Sequence, residues 1–237
     1  MTKPKVSIWG DSILKGIILD DEKMKYKYLD TSAVEIFRTK HSVKIKNYSR
    51  FGSTVKRAYP MIENAIRKKE TGDLVLIEFG GNDCDYKWQD VSASPQSFHE
   101  PNTPFHQFEE MLTDIAQKVI KAGNKPIFMT LPPIDANRYF DFICRSDQVC
   151  SNQIMRFLKD KKTIYRQQER YSNAIVKIAY HVGVALVDVR DAFLAKKNLL
   201  EYLCADGIHP NEKGQKLIAE VFSSKYLSAG PINMPSH

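Results

Sequence analysis

No stretch of the 237 residues approaches the roughly 18 to 20 consecutive apolar positions that a bilayer-spanning helix needs. The opening MTKPKVSIWGDS runs straight into a strand-like segment without the apolar core of a secretory leader. Cysteine is scarce. Cys84, Cys144, Cys150 and Cys204 are irregularly spaced and form no CxxC pair, which suits free thiols in a reducing compartment, with a Cys144–Cys150 bridge as the alternative. Together these absences predict a cytoplasmic chain with no membrane insertion. Glycine and proline number eleven each and are scattered, so no linker divides the sequence, and no repeat or low-complexity tract interrupts it. With 43% hydrophobic residues available for a core, residues 1–237 are expected to fold as a single domain.

Acidic charge is in deficit, 28 Asp and Glu against 35 Lys and Arg, for a formal charge of +7. A basic excess of this kind can serve nucleic acid or anionic lipid. Here the lysines are interleaved with acids, as in RKKE (67–70) and KDKK (159–162), and no aromatic-basic motif accompanies them. They read as solvated helix faces, so no nucleic-acid partner is expected.

Five short β-rich runs are present: PKVSIW (4–9), VKIKNYS (43–49), DLVLIEFG (73–80), KPIFMTL (125–131) and VALVDV (184–189). Amphipathic patterns between them predict helices over about 30–40, 54–69, 107–122 and 164–182. A last helix follows His209, with Pro210 in its first turn and Leu217, Ile218, Val221 and Phe222 on one face. Alternation of this kind gives a five-stranded parallel sheet covered on both sides. In such sheets reacting groups collect beyond the carboxyl ends of the strands. Two connections, about 84–106 and 132–162, exceed the usual few residues and begin just after a strand's carboxyl end, where they can build pocket walls. Their aromatics, Tyr86, Trp88, Phe98, Phe105, Tyr139, Phe140 and Phe142, can line an acyl pocket or pack the excursions onto the body, and packing is the more ordinary use. His99 and His106 are read as structural, and no long apolar lid suggests an interfacial lipase.

Four polar clusters fall at predicted strand ends or helix starts: Gly10-Asp11-Ser12, Arg50-Phe51-Gly52-Ser53, Gly80-Gly81-Asn82-Asp83 and Asp206-Gly207-Ile208-His209. Acyl transfer to a serine needs a hydroxyl, a base, an orienter for the base and donors for the oxyanion. Ser12 can supply the hydroxyl and His209 the base. Asp206, three residues earlier, can meet the imidazole within one turn. The N–H groups of Ser12 and Gly52 and the amide of Asn82 complete a three-donor oxyanion hole. Each piece alone has a plainer reading: Ser12 as a helix cap, Gly52 as a turn former, Asn82 as a turn residue, Asp11 and Asp83 as shapers of their loops. Coincidence of residue type, order and position favours the catalytic reading.

GDS at Ser12, the glycine of RFGS, GGND at Gly80–Asp83 and DGIH at Asp206–His209 resemble, in order, the four sequence blocks of the SGNH hydrolases, the GDSL-type esterases and lipases. The resemblance spans residues 10 to 209. It implies a flavodoxin-like three-layer α/β/α sandwich and metal-free ester hydrolysis; no cofactor is expected, and the want of a lid points to a small soluble or carbohydrate ester. It also implies a triad of Ser12, His209 and Asp206, with Ser12, Gly52 and Asn82 as the oxyanion hole. The first block reads GDSI, and Ile13 can pack as leucine would. Leu14 stands where the second glycine of a G-x-S-x-G elbow would be, which argues against the other common serine-esterase fold.

Three other readings use the same residues. A metal-dependent phosphoesterase could draw on Asp11, Asn82, Asp83, Asp206 and His209, although one histidine is few for a two-metal centre. An acyltransferase differs only in the alcohol that deacylates Ser12. A binding module on the same fold needs no complete set of serine, histidine, aspartate and donors. A small-molecule ester is the expected partner, and the sequence does not set an oligomeric state.

Overall fold

A computed structural model describes residues 3–228. In chain order the first half contains β1 (Lys5–Trp9), α1 (Ser12–Lys15), β2 (Ile17–Asp20), β3 (Lys25–Tyr28), α2 (Ala33–His41), β4 (Lys44–Asn47), α3 (Val55–Arg67), β5 (Leu74–Ile77) and α4 (Trp88–Ala93). The second half contains α5 (Phe105–Lys121), β6 (Lys125–Met129), α6 (Ala136–Ile143), α7 (Ser151–Leu158), α8 (Lys162–Val182), β7 (Ala185–Val187), α9 (Val189–Leu194), a 3-10 turn (Leu199–Tyr202) and α10 (Glu212–Ser228).

The five expected strands form one all-parallel sheet in the order β4-β1-β5-β6-β7. Counting only these strands the order is 2-1-3-4-5, the flavodoxin-like arrangement, with its switch point where β1 lies between β4 and β5. Side chains alternate between the two faces, as the strand period requires. Val75 and Ile77 of β5 join Trp9 and Phe128 in a core beneath α3, α5 and α8. Leu76, Ile8, Met129 and Val187 face α2, α9 and α10 on the other side. Pro126 is tolerated within β6 for a topological reason. The Lys125 N–H is directed to Asp73 beside β5, so the next residue faces β7, and β7 pairs with β6 only from Ile127 onward.

The structure departs from the sequence expectation in three places. Residues 17–28 form an antiparallel hairpin, β2 with β3, outside the main sheet. Strand β3 is exposed along its length, so hydrophobic alternation gives little sign of it. The two long connections carry helices: α4 in the first, α6 and α7 in the second. They bury Trp88, Val91, Phe140, Ile154 and Leu158 in a core of their own. Finally, Pro210 lies ahead of α10. It bridges to Leu203, and the Asn211 side chain accepts the Gly214 N–H to start the helix at Glu212. All four cysteines are free thiols. Among the described residues no helix is long and apolar enough to cross a membrane.

Candidate active site

Ser12 opens α1, a single helical turn fixed at both ends. The Asp11 side chain accepts the Ile13 N–H at 2.8 Å, and Gly16 closes the turn in the left-handed conformation. The Ser12 hydroxyl is thereby held against His209, with Oγ 2.8 Å from Nε2. His209 stands in a short loop built around Asp206, whose Oδ1 accepts the backbone N–H groups of Ile208 (3.0 Å) and His209 (3.1 Å). Oδ2 meets His209 Nδ1 at 2.7 Å. With Nδ1 facing a carboxylate, the imidazole proton sits there and Nε2 is left to accept from Ser12. The loop also requires Gly207: its φ is +75°, and a Cβ there would lie 2.6 Å from the Asp135 carbonyl oxygen.

Ser12 and His209 are each 5% exposed and Asp206 is wholly buried. Burial alone would raise the Asp206 carboxyl. The hydrogen bond and charge of His209, with the N–H groups of His209 and Ile208, outweigh it and hold the carboxyl below the ordinary carboxylate range.

Asn82 reaches the same cleft from the end of β5. One of its amide hydrogens is donated to Asp11 Oδ2 at 2.9 Å, which orients the group and leaves the other free. The Ser12 and Gly52 N–H groups have no protein acceptor among the described residues. Gly52 is placed less directly than the rest. It does not line the cleft, but its neighbour Phe51 stacks parallel to the His209 ring at 6.3 Å between centroids. Asp83 turns elsewhere: Oδ1 accepts the Val55 N–H at the start of α3 (2.9 Å) and the Thr103 hydroxyl (2.6 Å). The five residues of a phosphoesterase ligand set are thus divided between two tasks.

Tyr26 is a site residue that sequence reasoning missed. It projects from the hairpin, its hydroxyl 3.2 Å from Asp206 Oδ2 and its ring 5.0 Å from that of His209. Burial and the Asp206 charge push its phenol pKa well up, so it stays a donor. The hairpin is tied to the same loop by the Ala205 N–H, donated to Asp21 Oδ1 at 3.0 Å.

The cleft is partly open to solvent. Ile13, Leu131, Pro132, Ile134 and Ile164 make an apolar floor, and Tyr86, Trp88 and Tyr139 from the excursions form an aromatic wall. Trp88 and Tyr139 also belong to the excursion core, so wall and packing are one structure, whereas Phe98 lies exposed at the surface. Asp85 and Gln167 add polar groups to this part of the lining. Asp85 is held by the Tyr139 hydroxyl (2.6 Å) and the Trp88 indole N–H (2.9 Å), and burial raises its carboxyl to about 6. Gln167 lines the cleft with no protein partner for its amide among the described residues. His99, bonded to the Ser94 carbonyl at 2.8 Å, and His106 lie outside the cleft.

Residues 8–217 match the GDSL-like Lipase/Acylhydrolase family. The GDSL esterase/lipase CPRD49 of Arabidopsis thaliana is 22% identical over 231 residues, covering 92% of this chain and 76% of the relative. The GDSL esterase/lipase WDL1 of Oryza sativa subsp. japonica is 23% identical over 190 residues, covering 78% and 65%. Among solved structures, a lipase/acylhydrolase from Enterococcus faecalis superposes with a TM-score of 0.66 at 18% identity, covering 97% of this chain and 99% of its own. A catalytic mutant of Axe2, an acetylxylan esterase from Geobacillus stearothermophilus, gives 0.66 at 19% identity, covering 94% and 93%. At such identities the structural likeness is one of fold.

Proposed function

Because this chain belongs to the GDSL-like lipase/acylhydrolase family, we propose that it hydrolyses a carboxylic ester through an acyl-enzyme on Ser12. The carrying observation is the unbroken hydrogen-bonded line from Ser12 Oγ through His209 to Asp206, with spans of 2.8 and 2.7 Å. In this reading Ser12 Oγ bonds to the acyl carbon while its proton passes to His209 Nε2. The oxyanion accepts from the N–H groups of Ser12 and Gly52 and the free amide hydrogen of Asn82. The ester C–O bond breaks, the alcohol takes the proton from Nε2, and water then cleaves the acyl-enzyme by the reverse route. Asp206 stays ionised throughout and balances the imidazolium.

The cleft's apolar floor suits a short acyl group, and its wall of Tyr86, Tyr139, Asp85 and Gln167 suits an alcohol that carries hydroxyls. A small soluble or carbohydrate ester is therefore the proposed substrate. The structural neighbour Axe2 is itself an acetylxylan esterase, in keeping with that class.

The test is a series of p-nitrophenyl esters of graded chain length beside acetylated sugars, with fluorophosphonate labelling of the same preparation. Acetyl and other short esters should be cleaved best. Folded Ser12→Ala should lose the label and about 10⁴-fold or more in kcat. Near-full activity in that variant would overturn the mechanism, as would activity abolished by EDTA and restored by a divalent metal.

A further inference from the structure

Two carboxyls meet at the ends of β1 and β5, outside the line of Ser12, His209 and Asp206. Glu78 is wholly buried and Asp11 nearly so, 0% and 1% exposed. The Asp11 N–H donates to Glu78 Oε2 at 3.1 Å, which makes the two carboxyl-bearing residues neighbours in the core. Their approach depends on Gly10, where a Cβ would lie 2.7 Å from Glu78 Oε2. Their hydrogen-bond partners include no lysine or arginine. Asp83, His209 and the buried Cys84 thiol also stand close enough to act on the pair.

Two neighbouring desolvated carboxyls, with no lysine or arginine paired to either among the described residues, do not both ionise. The pattern of donors decides which keeps the proton. Asp11 accepts on both oxygens, from the Ile13 N–H at Oδ1 and from the Asn82 amide at Oδ2, as an ionised carboxylate does. Among the described residues Glu78 accepts only one N–H, and its buried Oε1 meets no donor. A buried carboxylate oxygen that no donor meets is costly because it is charged, and protonation of Glu78 removes that charge.

We propose that Glu78 is held as the neutral acid, donates its proton to the Asp11 carboxylate, and through Asp11 positions the Asn82 amide for the oxyanion. Asp11 connects three things at once: the first turn of α1 that carries Ser12, the oxyanion amide, and the buried acid. Burial raises both carboxyls, Glu78 the further, with the charge of Asp11 adding to the shift. Glu78 is a positioning residue and touches no substrate. The inference rests on the reading of Ser12 as nucleophile and Asn82 as oxyanion donor.

The experiment compares wild type, Glu78→Gln and Glu78→Leu in the full chain by kcat and KM on p-nitrophenyl acetate and by the infrared C=O stretch of buried protonated carboxyls at neutral pH. Glu78→Leu removes the donor and should lower kcat by about 10- to 100-fold with little change in KM, part of the ~10²–10³ that an oxyanion donor is worth. Glu78→Gln replaces the O–H with an N–H that cannot ionise and should recover most of that loss. The wild-type spectrum should contain a protonated-carboxyl band that Glu78→Gln lacks. Full activity in Glu78→Leu, a Glu78→Gln variant as impaired as Glu78→Leu, or a band unchanged by the glutamine would each overturn the proposal. Should Glu78→Leu fail to fold, the glutamine variant and the band still decide. The Ser12→Ala control separates the two levels, because activity surviving there defeats the hydrolytic reading while the infrared band continues to report on Glu78.

Discussion

Asp83 makes stability depend on pH in a way that one substitution can expose. Its carboxyl is wholly buried and accepts the Val55 N–H and the Thr103 hydroxyl on Oδ1, while Oδ2 has no partner among the described residues. Burial, and to a lesser degree the charge of Asp11, raises it from the ordinary 3.8 to about 7 against the pull of those two donors. A carboxyl raised on folding contributes stability that is complete below the unfolded value and is lost as pH climbs through the folded one. The window is therefore pH 4 to 7, and at about 1.4 kcal/mol per pH unit the change is at most about 4 kcal/mol. In Asp83→Asn the carbonyl oxygen keeps both donors, and an NH₂ replaces Oδ2 without a partner, at a pH-independent cost of about 1–3 kcal/mol. The two proteins should then exchange order: wild type more stable at pH 4.5, the asparagine variant equal or better at pH 8. Urea unfolding followed by tryptophan fluorescence at half-unit pH steps measures this, with m-values checked for constancy. Stability curves that run parallel from pH 4.5 to 8 would refute the assignment of a strained, titrating carboxyl to Asp83.

Two further substitutions probe the frame around His209. Tyr26→Phe removes the hydroxyl from Asp206 and should lower kcat by about tenfold with KM unchanged, in line with loss of one hydrogen bond to a charged group; an unaltered kcat on p-nitrophenyl acetate would show that the hairpin only covers the site. Gly207→Ala introduces a Cβ 2.6 Å from the Asp135 carbonyl oxygen and 2.9 Å from the Tyr139 nitrogen at a φ of +75°. It should cost about 3 kcal/mol, read as a Tm lower by roughly 6–12 °C.

The parallel sheet was legible because its central strands carry short apolar runs, LVLI being the clearest, and because helices of 9 to 21 residues separate its strands where the chain crosses from β1 to β4, β4 to β5, β5 to β6 and β6 to β7. Three of the four polar clusters were legible for a related reason: topology alone carries the ends of β1, β4 and β5 to one edge, which brings together residues about 30 to 70 positions apart, and the fourth was marked by the helix that follows His209. What escaped was short or exposed. Strand β3, KYKY, alternates but is exposed at every position, and α4, α6 and α7 run for six to eight residues, too few for a 3.6-residue period to stand out.

Glu78 escaped for a different reason. A glutamate in LVLIEFG interrupts an otherwise apolar strand end, and that interruption was itself the signal, since a charged residue buried on both faces of a central strand must be neutral or paired. The residues that acyl chemistry requires are recognisable one by one. The residue that holds them is recognisable only as a violation of the pattern around it, so it is at such violations that a strand of this fold should first be searched for function. Asp11 shows how far the consequence reaches. As a cap it would need only the Ile13 N–H, yet it also takes the Asn82 amide and meets a buried acid, so a turn residue becomes the joint through which the nucleophile and the oxyanion donor are set relative to each other.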